Sequence, residues 1–378
     1  MINILISQID EHNESNIIAT KEFNPEIVYL IKDKSYEAKV DTLKNYYESN
    51  FRNVRLQLFD VEEGNNKALE KIIDNVKDKN IIVNLTGGKR VNSLILLDIC
   101  LKMQIKALYI DIKKKIMYEF NNDDILISSK SFDDLEIDDI VKASGGMILE
   151  DASQLYCKKD LIYFSEQISK HLSLWHEHKQ KLYEASIFEH DANDQQRIYI
   201  HIDKLSEKEK KMLNKVLDKL EEMKEITIKN CNNKITVDFL NNYIKAFIFK
   251  SGTWLEIETN KLINKIEEID ESKNGVMFLW NDDNNSVRNE VDVVAIKDSV
   301  PIFISCKDSD KYNEIALNEL NVYSEKFGGE NSYKILVATK EPIKSPVRTR
   351  AKEMGINLII FDGNEEKFIK NIKDIINN

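Results

Sequence analysis

The stretch "NEVDVVAIKDSVPIFISCK", residues 289–307, holds two apolar runs separated by the short connection "KDSVP". Each run has strand length and composition, and the brevity of the connection predicts antiparallel neighbours in one sheet. Strand side chains alternate faces, so Glu290, Asp292 and Val294 share one side, and Phe303, Ser305 and Lys307 share one side of the next strand. The pairing brings a carboxylate, Asp292, and an ammonium, Lys307, to one end of the sheet. Working outward, "GTWLEIETNKLINKIEEI" (252–269) predicts a helix with the apolar stripe Leu255, Leu262 and Ile266. Glu256 lies at the margin of that stripe, where it can face the sheet. "VMFLW" (276–280) predicts a strand between this helix and the pair. A helix at 311–327, a strand at 333–339, a helix near 345–354, a strand at 357–362 and a last helix follow. The order is αβββαβ, extended by αβα.

These residue types suit phosphodiester hydrolysis. A divalent ion needs hard oxygen ligands, which Glu256, Asp292 and the backbone carbonyl of Cys306 can supply. Such an ion, Mn2+ or Mg2+, acidifies a bound water and neutralises phosphate charge. Lys307 then orients the water or stabilises developing charge. The bland reading is an ordinary Asp292–Lys307 ion pair at a sheet edge. The arrangement resembles the PD-(D/E)xK nuclease superfamily, in which a helix glutamate, a strand aspartate and a (D/E)-x-K tripeptide sit on an αβββαβ core. The tripeptide here is Ser305-Cys306-Lys307, so a serine stands where that family has its second acid. The resemblance therefore shifts completion of the metal shell onto Glu256 and the further candidate Glu290.

The first third of the chain alternates apolar strand-like runs (2–7, 26–31, 54–59, 80–85, 105–110) with helix-like stretches (35–49, 66–76, 88–103), and adds a short strand at 114–120. That alternation predicts a parallel sheet flanked by helices, ending near residue 145. Within it "VNLTGGKR" (83–90) follows a strand and opens a helix, a place where backbone N–H groups meet a phosphate. It is neither GxGxxG nor GK[ST], so it implies neither a dinucleotide nor ATP hydrolysis. A tight turn needing glycine is the alternative. The loop after the first strand, Ser7-Gln8, falls on the same sheet edge.

"NLTGGKR", "GTWLEIE", "NEVDVV" and "IFISCK" together resemble the effectors of type III CRISPR systems that join a CRISPR-associated Rossmann-fold (CARF) sensor to a PD-(D/E)xK nuclease. The resemblance implies an α/β protein with a Rossmann-like CARF domain over 1–145, a connecting helical segment over 146–250 and a nuclease domain over 251–378. It implies a cytoplasmic homodimer that binds a cyclic oligoadenylate, cyclic tetra-adenylate in the first instance, and then cleaves DNA, RNA or both. Carried across by position, Asn84, Thr86, Gly87, Gly88 and Lys89 line the ligand site with Ser7 and Gln8. Glu256, Asp292 and Lys307 form the nuclease site, with Glu290 beside them and the Cys306 carbonyl on the metal.

Composition leaves room for this. The chain has 378 residues, enough for two or three domains, and its net charge of −11 argues against a permanent nucleic-acid binder with a broad phosphate footprint. The N-terminus lacks the basic region and long apolar core of a secretory signal, and no apolar run is long enough to span a membrane. Cys100, Cys157, Cys231 and Cys306 are scattered, with no CxxC, and are expected as free thiols without zinc. "SEKEKKMLNKVLDKLEEM" (206–223) predicts an amphipathic helix opened by a capping box. A ligand-gated transcription regulator is the alternative function, with a winged helix around 206–247. Its candidate recognition helix "TVDFLNNYIKAFIF" carries one lysine and no arginine, and is expected to pack inward. A sensor that lost activity at Ser305 and an inert scaffold are the remaining readings. His171, His176 and His178 are expected on a solvated helix face.

Overall fold

The computed structural model describes residues 2–121, 125–128, 132–231, 233–250, 252–282 and 285–377. Strand and helix alternate through β1 (Ile4–Gln8), α1 (Glu14–Phe23), β2 (Ile27–Lys32), α2 (Glu37–Asn50), β3 (Arg55–Asp60), α3 (Asn66–Asp74), β4 (Ile81–Asn84), α4 (Arg90–Met103) and β5 (Lys106–Asp111). β6 (Ile116–Phe120) and β7 (Ile125–Ser128) then add a meander. The sheet order is β3-β2-β1-β4-β5-β6-β7, with parallel pairing up to β5 and antiparallel pairing beyond. Strand order reverses between β1 and β4, so the crevice at their carboxyl ends is where such sheets take ligands. β1 is buried at all five positions, as a central parallel strand covered on both faces must be.

The chain continues through α5 (Ile137–Ala143), β8 (Gly146–Glu150), α6 (Ser153–Tyr156), α7 (Lys159–Lys170) and α8 (Leu172–His178). A second sheet follows: β9 (Phe188–His190), β10 (Arg197–His201), α9 (Glu207–Glu222), β11 (Ile226–Cys231), β12 (Lys234–Phe239) and α10 (Asn242–Phe249), with order β11-β12-β10-β9. Helix α9 opens with the expected capping box, the Ser206 N–H donating to Glu209 and the Glu209 N–H to Ser206 Oγ. "TVDFLNNYIKAFIF" is not one helix. Its β-branched, alternating first half is the end of β12, and Asn241 then caps α10 by accepting the Ile244 N–H at 2.9 Å. Its Ile244 and Phe247 do point inward.

The third sheet carries the motif that opened the analysis. It comprises α11 (Thr253–Ile263), β13 (Glu271–Asp282), β14 (Asn285–Lys297), β15 (Val300–Lys307), α12 (Glu314–Gly328), β16 (Tyr333–Ala338), α13 (Pro346–Glu353), β17 (Ile356–Ile360) and α14 (Glu365–Ile376). The order is β17-β16-β15-β14-β13-β8. β14 and β15 form the antiparallel pair, while β15, β16 and β17 run parallel. β8, from the connecting segment, closes the far edge against β13. Gly146 opens β8 because a Cβ there would meet Phe327 at 2.4 Å.

Two apolar layers cover this sheet. Val294 and Phe303 share a core with Leu317, Leu320 and Phe327 of α12, and that core runs through α5 into the first sheet at Leu5 and Ile82. Ile304 and Cys306 face the other way, into a core with Trp254 and Leu255 of α11, Phe368 of α14 and the second sheet's Ile198 and Val237. Burying a side chain such as Leu255, 0% exposed, contributes about 2 kcal/mol. Helix α11 is enclosed on nearly every side, so each polar group on it must find a partner or a role. Among the described residues, no helix is long and apolar enough to cross a membrane.

Candidate active site and ligand loop

β14 and β15 stop pairing at Val293 and Ile304. One step further, Asp292 turns into the opening between them. Its Oδ2 accepts the Cys306 N–H at 2.6 Å and the Ser305 hydroxyl at 3.2 Å, and Lys307 Nζ lies 3.8 Å away. Ser305 therefore steadies the aspartate that the tripeptide faces. In a strand the N–H and C=O of one residue point to the same side, so the Cys306 carbonyl is also directed toward β14. The Cys306 thiol is turned into the core 3.6 Å from Thr259 Oγ1, and burial pushes its pKa well up, so it stays protonated.

Glu256 comes from the opposite layer. Helix α11 packs on the Ile304 and Cys306 face of the sheet, and Glu256 stands on it close enough to Asp292 to feel its charge. It is 8% exposed. Burial first, and the Asp292 charge next, raise its pKa to about 7; Glu290 raises it further, while Lys250 and a hydrogen bond from Tyr156 oppose the shift. Glu290, on the exposed stretch of β14, is thus near enough to be felt but is not held in the pocket. Asp292 thus stands between Lys307, 3.8 Å away, and Glu256, on which its charge acts.

Two residues that sequence reasoning missed complete the surroundings. Tyr156, at the end of α6, donates from its hydroxyl to Glu256 Oε2 at 3.3 Å. Asp308, directly after Lys307, has a side chain only 1% exposed and is ringed by donors from α8, α11 and Thr339, the residue after β16. Burial alone would raise its pKa, but hydrogen bonds from Trp175 and Trp254 and the charge of Lys179 hold it below the usual value. The histidine expectation is corrected for two residues. His176 and His178 are 14% and 15% exposed: His176 Nε2 lies 3.2 Å from Asp308 after β15, and His178 Nδ1 lies 3.3 Å from Glu209 of α9; His171 is exposed. A separate acidic group, Asp134, Asp270 and Asp298, lies at the β14–β15 turn, the end of the hairpin away from Lys307. Lys115 supplies its positive charge, 2.9 Å from Asp134 and 2.7 Å from Asp298.

At the first sheet's carboxyl edge, Ser7, Gln8 and Asn84 are buried beneath the glycine loop. Gln8 Nε2 donates to the Gly87 carbonyl at 3.1 Å and to Ser93 Oγ at 2.8 Å. Asn84 accepts from the Thr86 N–H and hydroxyl, at 3.1 and 2.7 Å. Gly88 has φ +81, and its N–H donates to Asp10 Oδ2 at 2.9 Å, so a carboxylate already sits where the loop offers a donor. Lys89 lies over the Tyr36 ring, 5.2 Å from its centroid. Above the loop is a cavity of about 1160 Å3, bordered by Thr86, Gly87, Gly88 and Tyr109 and, from the third sheet's layer, by Gly329 and Lys334.

Residues 244–378 match the family model described as Card1-like, endonuclease domain. The whole chain is similar in fold to protein VC1899 from Vibrio cholerae, with TM-score 0.78 and 18% identity over 99% of this chain and 97% of that one. It is similar to Can2 from Sulfobacillus thermosulfidooxidans, solved in complex with cyclic tetra-adenylate, with TM-score 0.74 and 16% identity over 100% of both chains. A type III CRISPR defence DNA nuclease activated by cyclic oligoadenylate gives TM-score 0.55 and 14% identity over 98% of this chain and 52% of that one. No curated protein matches the sequence. Residues 244–378 thus resemble a Card1-like endonuclease domain, and with the Rossmann-like sheet ahead of it the chain has the fold of these solved proteins.

Proposed function

We propose that the chain is a cyclic-oligoadenylate-activated, divalent-metal-dependent endonuclease of CRISPR defence that cleaves DNA, RNA or both, with cyclic tetra-adenylate as activator. The observation that carries the catalytic half is the meeting of Glu256, Asp292 and Lys307 where β14 and β15 part, with Glu256 raised to about 7. The residues fit a cation. Glu256 is buried, the charges of Asp292 and of the exposed Glu290 act on it, and its hydrogen bond comes from a neutral phenol. Glu256 and Asp292, with the Cys306 carbonyl, would hold Mn2+ or Mg2+. When bound, the ion supplies a water of lowered pKa and charge neutralisation at the phosphate. The chain's own residues do the rest. Asp292 is held by Ser305 and the Cys306 N–H, and Lys307 projects its ammonium into the same opening, where it meets the scissile phosphate or its attacking water.

The likeness to Can2 with its bound cyclic tetra-adenylate supports the activator, as does a glycine loop bordering a large cavity at a strand-order switch point. A homodimer places two such loops about one axis, which suits a ring ligand with two-fold symmetry. Val91, Leu94 and Leu101, exposed by 45, 68 and 41%, form an apolar stripe on α4 beside that cavity and are the surface proposed to meet the second copy. With Mn2+ and cyclic tetra-adenylate, the full chain is expected to cleave plasmid DNA or single-stranded RNA. Asp292→Asn and Lys307→Ala are expected to abolish cleavage while leaving ligand affinity, measured by calorimetry, unchanged. Full activity in either variant removes the active-site assignment.

A further inference from the structure

The nuclease reading uses Lys307 but not its neighbour. Asp308 is the most heavily bonded carboxylate near the site. Oδ2 accepts from the indole N–H of Trp175 at 2.6 Å and of Trp254 at 2.9 Å. Oδ1 accepts from the Thr339 hydroxyl at 2.8 Å and lies 3.0 Å from Lys179 Nζ and 3.2 Å from His176 Nε2. Lys179 also donates to the Asp308 backbone carbonyl. These partners come from four places: α8, the turn after it, α11 and the residue after β16.

Resting on the nuclease reading, we infer that Asp308 is a positioning residue, whose buried carboxylate locks the end of β15 to α11 and to the connecting helix α8 and so aims Lys307 and Glu256 at one point. The argument is geometric. Side chains at the end of a strand alternate, so anchoring Asp308 on the α11 side directs Lys307 to the other. Lys307 is the last residue of β15 and is 34% exposed on its side chain; its carbonyl accepts the Thr339 N–H at 3.2 Å on the β16 side, but pairing toward β14 has already ended at Ile304. Trp254 stands two residues before Glu256 on α11, so the same carboxylate sets where that helix lies along the strand. Among the donors, Trp175, His176 and Lys179 belong to the connecting segment. That segment reaches the site a second time through Tyr156 and Glu256. Residues 153–179 therefore build part of the site's support.

The test uses the full chain with Mn2+, cyclic tetra-adenylate and whichever of plasmid DNA and single-stranded RNA the wild type cleaves. Asp308→Ala is expected to lower kcat by about 100-fold, the usual effect of misplacing reacting groups by an ångström, with KM and ligand affinity within about twofold. Asp308→Asn, which keeps an acceptor oxygen for the indoles, is expected to recover part of that loss. Trp175→Phe keeps the ring in place and removes one donor, and is expected to lower kcat by about 10-fold. It covers the case in which Asp308→Ala does not fold. A KM rise at constant kcat, or wild-type kcat in a folded Asp308→Ala or Trp175→Phe variant, overturns the positioning role and leaves the nuclease reading standing. Absence of cleavage by the wild type on both substrates overturns the nuclease reading and this proposal with it.

Discussion

At the scale of single residues, the site depends on a glutamic acid in an unusual state. Without metal, Glu256 has its pKa raised from 4.5 to about 7 by burial and by Asp292. Below pH 4.5 both folded and unfolded chains hold the proton. Between 4.5 and 7 the unfolded chain releases it and the folded chain keeps it, so stability falls as pH rises through that window. The shift corresponds to about 3 kcal/mol. Urea unfolding in chelator at pH 5 and pH 8 is expected to show wild type losing stability relative to Glu256→Gln across that range. A difference between the two proteins that does not change with pH would sink the idea. The placing of Asp292 and Lys307 at one end of the sheet is legible because strand alternation and a five-residue connection fix faces and ends, and that of Glu256 because it borders the apolar stripe of α11. Tyr156 and Asp308's partners are not, because Tyr156 meets Glu256 across 100 positions and Trp175 meets Asp308 across 133, and no local period encodes such pairs.

At the scale of elements, the central strands of the first and third sheets are readable because they are buried and β-branched, whereas β7 and β8 at the edges are not, and β13 and β14 each begin five residues before the expected strands. The main departure is at "TVDFLNNYIKAFIF", where the polar pair Asn241-Asn242 marks a strand end and a helix cap that the reading as one helix passes over. The connecting segment was opaque for a different reason: β8 is amphipathic only in the company of β13, so its sheet membership is a tertiary fact. The glycine loop shows what an element can demand of one residue. Gly88 has φ +81, and a Cβ there would lie 2.4 Å from the Gln8 Cβ, which is itself pinned by Gly87 and Ser93. Left-handed backbone costs an alanine about 1 kcal/mol, and the overlap forces the loop off Gln8. Gly88→Ala is expected to weaken cyclic tetra-adenylate binding by at least about 10-fold in calorimetry, with the remaining cleavage recovered at high ligand. Unaltered affinity would mean that the loop does not touch the ligand.

At the scale of the whole molecule, the first and third sheets share one interior. α5 packs against α1 and α2 on one side and α12 on the other, and the core around Leu5 is continuous with that around Phe303. Lys115 ties the β5–β6 turn to the β14–β15 turn, and the His12 ring lies against Gly329, so the loop after β1 touches the end of α12. The proposed ligand cavity is bordered by both parts of the chain, so a ligand there would bear directly on the layer that covers β14 and β15. Activation in this scheme needs the second copy, because one loop faces only half of a symmetric ring. The α4 stripe tests that requirement. Leu94 is 68% exposed and flanked by Val91 and Leu101 on the same helix face, so a charge there is harmless in a monomer and costly inside an apolar contact. Leu94→Glu is expected to leave the melting temperature of the isolated subunit unchanged and to raise the dimer dissociation constant in sedimentation by at least about 10-fold. Ligand-stimulated cleavage should fall with it and return as protein concentration is raised. A variant that remains dimeric at the wild-type constant would move the two-fold axis to another face, and one that is monomeric yet fully activated would show that a single subunit closes on the ligand by itself.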